Sequence, residues 1–151
     1  MFTLAEQPET RASTRDFITA YASTMRSGPG TTYSSVTTVP VKKCVTGDNS
    51  SWYFTKASWS SGTYGSSFGY IRNDLIIPYQ DCYKVNTSAG LYLRSKPSPS
   101  APKALNSALP NGTLLYVMSS SNGWYRVRPY GVVNDDGILG WVNASYVIKF
   151  S

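Results

Sequence analysis

The chain carries one series of short motifs twice, and this repeat limits the folds open to it more than any other feature. The first series runs Met25-Arg26-Ser27-Gly28-Pro29-Gly30, Val39-Pro40, Ser51-Trp52-Tyr53 and Gly69-Tyr70-Ile71. The second runs Leu93-Arg94-Ser95-Lys96-Pro97-Ser98, Leu109-Pro110, Gly123-Trp124-Tyr125 and Gly140-Trp141-Val142. The landmarks keep their order at offsets of 68 (Arg26 to Arg94), 70 (Pro40 to Pro110), 72 (Trp52 to Trp124) and 71 residues (Gly69 to Gly140). A copied small module predicts two domains, and it favours binding over catalysis.

The repeat divides the 151 residues into a linker or tail at 1–17, a first domain at 18–80 and a second at 81–151. Gly, Pro, Asn, Asp and Ser recur at short spacing, which is typical of an all-β chain of short strands. Leu91 and Leu93 alternate with polar neighbours, and Asn111-Gly112 is a strong hairpin signal. Residues 57–67 are predicted to form a Gly/Ser-rich loop. We therefore expect an all-β fold with two tandem small β-barrels.

The residue types that most catalytic sites need are scarce. The chain has no histidine and only two cysteines, which excludes Ser–His and Cys–His pairs, His-ligated zinc and a four-thiolate zinc site. Asp135 and Asp136 are neighbours before a glycine, so they favour a turn over the opposed carboxylates of a glycosidase. No Gly-Lys-Ser/Thr phosphate loop occurs. We expect no enzyme activity, no cofactor and no metal.

The net charge of +6 is spread over both repeats. Such a surface suits an anionic cell-wall polymer, and ordinary solubility explains it equally well. No basic cluster is longer than Lys42-Lys43, so we expect no nucleic acid partner. No apolar run is long enough to cross a bilayer, so we expect no membrane insertion.

Cys44 and Cys82 leave two alternatives open. Cys44 lies in an apolar run, and Cys82 lies just past the junction of the repeats. An exported protein permits a disulfide between them, and two buried free thiols are the other interpretation.

The ordered motifs Arg-Ser-Gly-Pro-Gly, Trp-Tyr and Gly-aromatic-aliphatic resemble the bacterial SH3 (SH3b) family, relatives of the eukaryotic SH3 barrel. The resemblance is nearly continuous over 91–148 and reaches fewer points over 23–76, where Ser23 stands at a position that is large and apolar in the family. It implies two tandem SH3-like barrels that bind peptidoglycan or its stem peptides without catalysing a reaction. It also implies a secreted or cell-wall location and a catalytic domain, such as a cell-wall hydrolase, in the same parent protein. We expect the chain to be a piece of that larger exported protein.

Aromatic residues near long loops are the candidates for a shallow binding groove, because flat rings offer stacking faces at low entropy cost. For Trp52 and Trp124 the core is the favoured interpretation, and for Arg26 and Arg94 bonds to loop carbonyls are favoured over ligand contacts. The predicted ligand-binding residues are Tyr33, Trp59, Tyr64, Tyr70, Tyr92, Arg94, Trp124, Tyr130, Asp135 and Trp141.

Three other functions stay open at this point. The chain could position or regulate a neighbouring catalytic domain by protein–protein contact. It could be an enzyme itself, which the missing histidine opposes. It could also be a structural spacer, which predicts that Trp59, Tyr64 and Tyr130 are buried.

Overall fold

The computed structural model describes residues 15–48, 53–61, 65–132 and 136–151. The fold is nearly all-β and divides into two compact units, Met1–Gln80 and Asp81–Ser151. Each unit has its own sheet and its own apolar core. A short 3-10 turn, Tyr79–Asp81, joins them along the chain.

The first unit is a seven-stranded antiparallel sheet with the order β3-β2-β6-β5-β4-β1-β7. A 3-10 turn, Asn73–Leu75, precedes its last strand. The strands are β1 (Arg15–Thr19), β2 (Ser23–Arg26), β3 (Ser35–Val39), β4 (Cys44–Gly47), β5 (Phe54–Ser60), β6 (Ser66–Arg72) and β7 (Ile76–Pro78).

The second unit has a five-stranded antiparallel sheet with the order β11-β10-β9-β8-β12. Isolated bridges, Leu91 with Leu109 and Arg94 with Lys103 and Trp141, extend it beyond β11. The strands are β8 (Cys82–Val85), β9 (Leu114–Ser121), β10 (Trp124–Pro129), β11 (Gly140–Asn143) and β12 (Val147–Lys149), with a 3-10 turn at Ala144–Tyr146. With the bridges included, the two units have the same strand order.

The two units also pair their strands in the same register. Phe17 lies opposite Val45 in the first unit, as Tyr83 lies opposite Leu115 in the second. The offset between counterparts is 66 residues at β1, 68 at β2, 70 at β4 and β5 and 71 at β6 and β7, so the length differences fall in the turns. Further matching pairs are Thr19–Ile76 with Val85–Val147, Ser23–Val39 with Leu91–Leu109, Arg26–Tyr70 with Arg94–Trp141, and Ala57–Gly69 with Val127–Gly140.

This register corrects one landmark of the sequence repeat. Matching the Trp-Tyr pairs puts Trp52 with Trp124 at an offset of 72. In the structure Phe54 pairs with Arg72, as Trp124 pairs with Asn143, at the offset of 70 that the whole of β5 shows. Phe54 is therefore the counterpart of Trp124, and Trp52 lies outside the described residues.

The two cores use counterpart positions. The core of the first unit is Phe17, Met25, Val39, Val45, Ala57, Ile71 and Ile76. The core of the second unit includes Leu93, Leu109, Leu115, Val127, Val142 and Val147, and Tyr83 packs against it. Burying these side chains removes apolar surface from water, about 25 cal/mol for each Å².

Hydroxyl side chains replace apolar ones at two buried positions of the first unit. Thr19 stands where the second unit has Val85, and Ser23 where it has Leu91. Both are fully buried. The Thr19 hydroxyl donates to the carbonyl of Pro40 at 2.7 Å, and that of Ser23 donates to the carbonyl of Tyr21 at 2.7 Å. These bonds satisfy the hydroxyls, which is the condition for burying them.

Two sequence expectations about element bounds are wrong. The tail was expected to reach residue 17, yet β1 begins at Arg15 and Phe17 is a core side chain, 5% exposed. The Gly/Ser-rich loop was expected over 57–67, yet β5 continues to Ser60 and β6 starts at Ser66. In both places pairing with a neighbouring strand outweighs local composition.

Candidate functional site

An arginine closes the same loop in each unit. The Arg26 guanidinium donates to the carbonyl of Tyr33 at 2.9 Å, and that of Arg94 donates to the carbonyl of Ala101 at 3.2 Å, seven residues on in both cases. The loops, residues 27–34 and 95–102, share three more backbone bonds at counterpart positions. Arg26 and Arg94 therefore bond loop carbonyls, as one sequence interpretation has it.

A groove of about 440 Å³ opens beside the loop of the second unit. Three aromatic side chains line it: Tyr92 and Tyr146, which are 37% and 47% exposed, and the half-buried Trp124. Arg94 contributes to the same wall. The structure thus brings together three of the residues predicted from the sequence, Tyr92, Arg94 and Trp124. We call this the aromatic groove.

Local backbone geometry positions each wall of the aromatic groove. Tyr92 and Arg94 share one side of their extended segment because Leu91 and Leu93 turn the other side into the core. Trp124 is the first residue of β10, and Tyr146 ends the 3-10 turn after β11. The side chain of Asn143 accepts from the backbone N–H of Ser145 at 2.9 Å and so caps that turn.

Two cations lie near the ring of Tyr92. The Lys103 ammonium is 3.7 Å from the ring centroid, and the Arg94 guanidinium carbon is 5.6 Å from it. A cation over an aromatic face is attracted by the ring quadrupole. The wall of the aromatic groove at Tyr92 is therefore positively charged.

The first unit has a concavity in the counterpart place, with different chemistry. It measures about 550 Å³ and is lined by Thr31, Tyr53, Phe54, Arg72, Asn73 and Asp74. Phe54 occupies the position that is Trp124 in the second unit, and Arg72 occupies the position that is Asn143 there. Arg72 makes a bidentate ion pair with Asp74, with nitrogen–oxygen distances of 3.1 and 2.6 Å. Both of these side chains are about half exposed.

Three predicted ligand residues have other surroundings. Tyr130 is only 6% exposed, and the Arg128 guanidinium lies 4.5 Å from its ring centroid, so this candidate is corrected to a buried residue. Burial also raises the pKa of its phenol. Trp59 is half-buried against the core, on the same face of β5 as Ala57, rather than in a loop. Tyr33 is 47% exposed, but one part of its ring packs against the backbone of its own loop at Gly28, where there is no room for a Cβ.

Tyr70 and Trp141, two further candidates, are half-buried residues of β6 and β11. Each lies opposite an arginine of its own unit, Arg26 and Arg94 respectively. Neither lines the aromatic groove or its counterpart. The last two candidates, Tyr64 and Asp135, lie outside the described residues.

Both cysteines are free thiols in the structure, so the disulfide that the sequence allows is not formed. Cys44 is exposed on β4, whereas Cys82 is fully buried at the start of β8. The alternative of two buried thiols holds for Cys82 alone. Loss of solvation raises the pKa of Cys82 to about 12, partly offset by Lys149. Loss of solvation and the negative charge of Asp16 raise the pKa of Cys44.

Within residues 15–48, 53–61, 65–132 and 136–151, no group of three or more His, Cys, Asp or Glu side chains could hold a metal ion. In the same part of the chain no helix has the length and apolarity to cross a membrane.

Several residues in or beside the two concavities were missed from the sequence. Phe54 could have been found by applying the 70-residue offset of Pro40 and Pro110 to Trp124. Lys103 and Pro99 lie in a Pro- and Ser-rich stretch with no motif of their own, and only folding of the loop brings them to Tyr92. The Arg72–Asp74 pair likewise had no distinguishing pattern.

Two of the comparisons with known proteins found a similarity, one to a solved structure and one to a protein family. A solved structure titled "Structure of NlpC1 from Trichomonas vaginalis" is similar to this chain at 10% sequence identity and a TM-score of 0.34. The similarity covers 96% of this chain and 47% of that one, so the chain spans about half the length of that protein. No curated protein sequence matches the chain. Residues 89–148, which include the whole aromatic groove except Thr87, match the family of the bacterial SH3 domain.

Proposed function

We propose that the chain is a non-catalytic module that binds peptidoglycan and that its principal site is the aromatic groove. One observation carries the proposal: within a segment matching the bacterial SH3 domain, Tyr92, Trp124 and Tyr146 line a single open groove. Aromatic rings fixed by a β scaffold lose little entropy when they stack on a sugar or a peptide. The net charge of +6 favours an anionic polymer such as the cell wall.

The first unit supports the same proposal as a second bacterial SH3 domain. Its strand order and pairing register match those of the second unit, and a concavity occupies the counterpart place. Two weak sites on one chain gain avidity when both engage a polymer. Because Phe54 and the Arg72–Asp74 pair replace Trp124 and Asn143, we propose that the first unit contributes a weaker contact.

The module would serve to target a larger protein. We propose that it belongs to an exported protein whose catalytic domain, a cell-wall hydrolase, lies outside this sequence. In that protein the module would hold the hydrolase at its substrate, which raises the local substrate concentration without any new chemistry.

The test is retention on purified peptidoglycan at physiological salt. Trp124→Ala and Tyr146→Ala should each weaken retention about tenfold, since truncating an aromatic anchor costs about 2 kcal/mol or less in an open groove. Phe68→Ala is the matched control, because Phe68 is 69% exposed on β6 and lines neither concavity. Equal retention of all three variants would show that the aromatic groove is not the site.

The same experiment separates wall binding from the protein–protein alternative. If the unmodified chain is not retained above an unrelated protein but does bind the catalytic domain of its parent, it positions or regulates that domain instead. Hydrolysis of muropeptides by the chain would contradict both proposals.

A further inference from the structure

A row of alternating charged and aromatic side chains crosses the outer face of each sheet. In the second unit Arg126 lies opposite Trp141, and Trp141 lies opposite Arg94. Arg94 and Trp141 exchange both backbone bonds, at 2.8 and 2.7 Å, and Arg94 is also bridged to Lys103. Directly opposed residues of antiparallel strands project to the same face, about 5 Å apart. The four side chains therefore form one continuous row.

The first unit repeats this row at counterpart positions. Lys56 lies opposite Tyr70, and Tyr70 lies opposite Arg26. Both units thus place a half-buried aromatic ring between two cations, Lys56–Tyr70–Arg26 and Arg126–Trp141–Arg94. We call these the cationic rows. The residue types differ while the order of charge, ring and charge is the same, so the pattern does not follow from identical sequence.

The charge of the cationic rows is not neutralised within the described part of the chain. No row residue forms an ion pair there, and the pair of Arg72 with Asp74 lies outside both rows. Arg26 and Arg94 each give a single N–H to a loop carbonyl, which leaves the charge and four of the five donors of each guanidinium. Lys56 and Arg126 are exposed. Each row is therefore an open surface with two positively charged side chains, whose backbones are about 10 Å apart across two strand spacings.

We infer that each cationic row binds the carboxylates of an acidic peptide, with the central ring under the apolar part of that peptide. This inference rests on the proposed function and names the chemistry recognised there, the free carboxylates of peptidoglycan stem peptides. Guanidinium groups bind carboxylates in a bidentate way, and a flat ring between them accepts a short peptide backbone or a methyl group. In the second unit Arg94 belongs both to the row and to the aromatic groove, so a peptide leaving the groove meets the row directly.

The variants that test the rows keep the net charge matched. Lys56→Gln with Arg126→Gln removes one exposed cation from each row. Lys43→Gln with Lys84→Gln removes one cation from each unit away from the rows. The row variant should bind peptidoglycan about four- to twentyfold less well than the control variant, because each exposed charge pair contributes up to about 1 kcal/mol. The difference should shrink at high salt. Equal retention of the two variants would overturn the inference while leaving the proposed function in place.

A soluble probe tests the rows independently of wall binding. The tripeptide acetyl-alanyl-glutamyl-alanine has two carboxylates, and its diamide has none. In an NMR titration to about 10 mM, the range for a weak surface site, the free acid should shift the indole N–H of Trp141 and the backbone N–H of Tyr70. The diamide should shift neither. Absence of shifts at both rows, or equal shifts with the diamide, would overturn the inference whether or not the chain binds peptidoglycan.

Chemically treated walls identify the anion. Amidating the wall carboxylates should remove the difference between the row variant and the control variant, and stripping phosphate polymers from the wall should leave it unchanged. If the difference disappears only with the phosphate polymers, the rows bind phosphate and the assignment to carboxylates is wrong.

Discussion

At the scale of single residues, burial decides what a side chain can do. Tyr130 and Tyr92 are both tyrosines next to arginines, yet Tyr130 is 6% exposed and Tyr92 is 37% exposed. Only Tyr92 offers surface to a ligand. The two cysteines differ in the same way, since Cys44 is exposed and Cys82 is fully buried.

The buried thiol of Cys82 predicts a loss of stability at high pH. Its pKa is raised from 9.0 to about 12 in the folded chain, mainly by loss of solvation. The folded state therefore holds the proton that the unfolded state releases, and this contribution is complete below pH 9.0 and lost as the pH rises toward 12. Urea unfolding on both sides of pH 9.0 should show a larger loss for the unmodified chain than for Cys82→Val.

Alkylation supplies the matching control. Cys44 should react with iodoacetamide in the folded chain, and Cys82 should react only in denaturant, as mass spectrometry of the two peptides would show. An equal pH dependence in the unmodified chain and Cys82→Val, or fast labelling of Cys82 in the folded state, would show that this thiol is not buried.

At the scale of elements, the close approach of β2 and β6 explains the glycine before each returning aromatic. A Cβ on Gly69 would lie 2.5 Å from the carbonyl oxygen of Arg26 and 2.6 Å from Cγ of Met25. Gly140 faces Leu93 and the carbonyl of Arg94 in the same manner. The glycine is needed here for space, and it lets the backbone of the neighbouring strand come close.

Gly69→Ala should therefore destabilise the chain by about 1–3 kcal/mol, because the contact with backbone cannot relax as a flexible side chain could. Gly30→Ala is the control, since its Cβ would meet the Tyr33 ring at an ordinary 3.4 Å. That variant should be neutral or slightly stabilising. The measurement is urea unfolding of both variants, and an equal stability of the two would contradict the packing argument.

The elements also show how far the sequence can be interpreted. The alternation of Leu91 and Leu93, the turn at Asn111-Gly112 and the two Gly-aromatic strands are encoded locally, and all three are found in the structure. The turn does not close a hairpin, since Leu109 pairs with Leu91 and Leu114 with Lys84. The first-unit counterpart of Trp124 is not encoded locally. Trp52 and Phe54 are both aromatic, and only the register of strand pairing identifies Phe54 as the counterpart. The position of Trp59 was missed for the same reason, since its strand is set by pairing with β6.

At the scale of the whole molecule, two units with separate sheets and cores share one chain. The structure divides between residues 80 and 81. The aromatic groove could be predicted only in part. Trp124 lies in a repeated motif, whereas Pro99 reaches the groove only through the fold of its loop, and Lys103 reaches Tyr92 through its bridge to Arg94.

Residues 81–151 should fold without the first unit, because all core residues of the second unit lie within that range. A domain of this size buries a modest share of its surface, so we expect a stability of only a few kcal/mol, toward the low end of about 5–15 kcal/mol for domains. A well-dispersed NMR spectrum and a cooperative unfolding transition would support this. A spectrum of an unfolded chain would show that the two units depend on each other.

The hydrogen bond from Arg26 or Arg94 to a carbonyl seven residues later affects how the loop between them can change in sequence. Arg26 and Arg94 bind main-chain carbonyls, so these hydrogen bonds do not depend on the identity of the residue that supplies the carbonyl. Exposed loop positions should therefore accept substitution without loss of the loop backbone, whereas Gly28, whose Cβ would meet the Tyr33 ring, and the buried Ala101 should not.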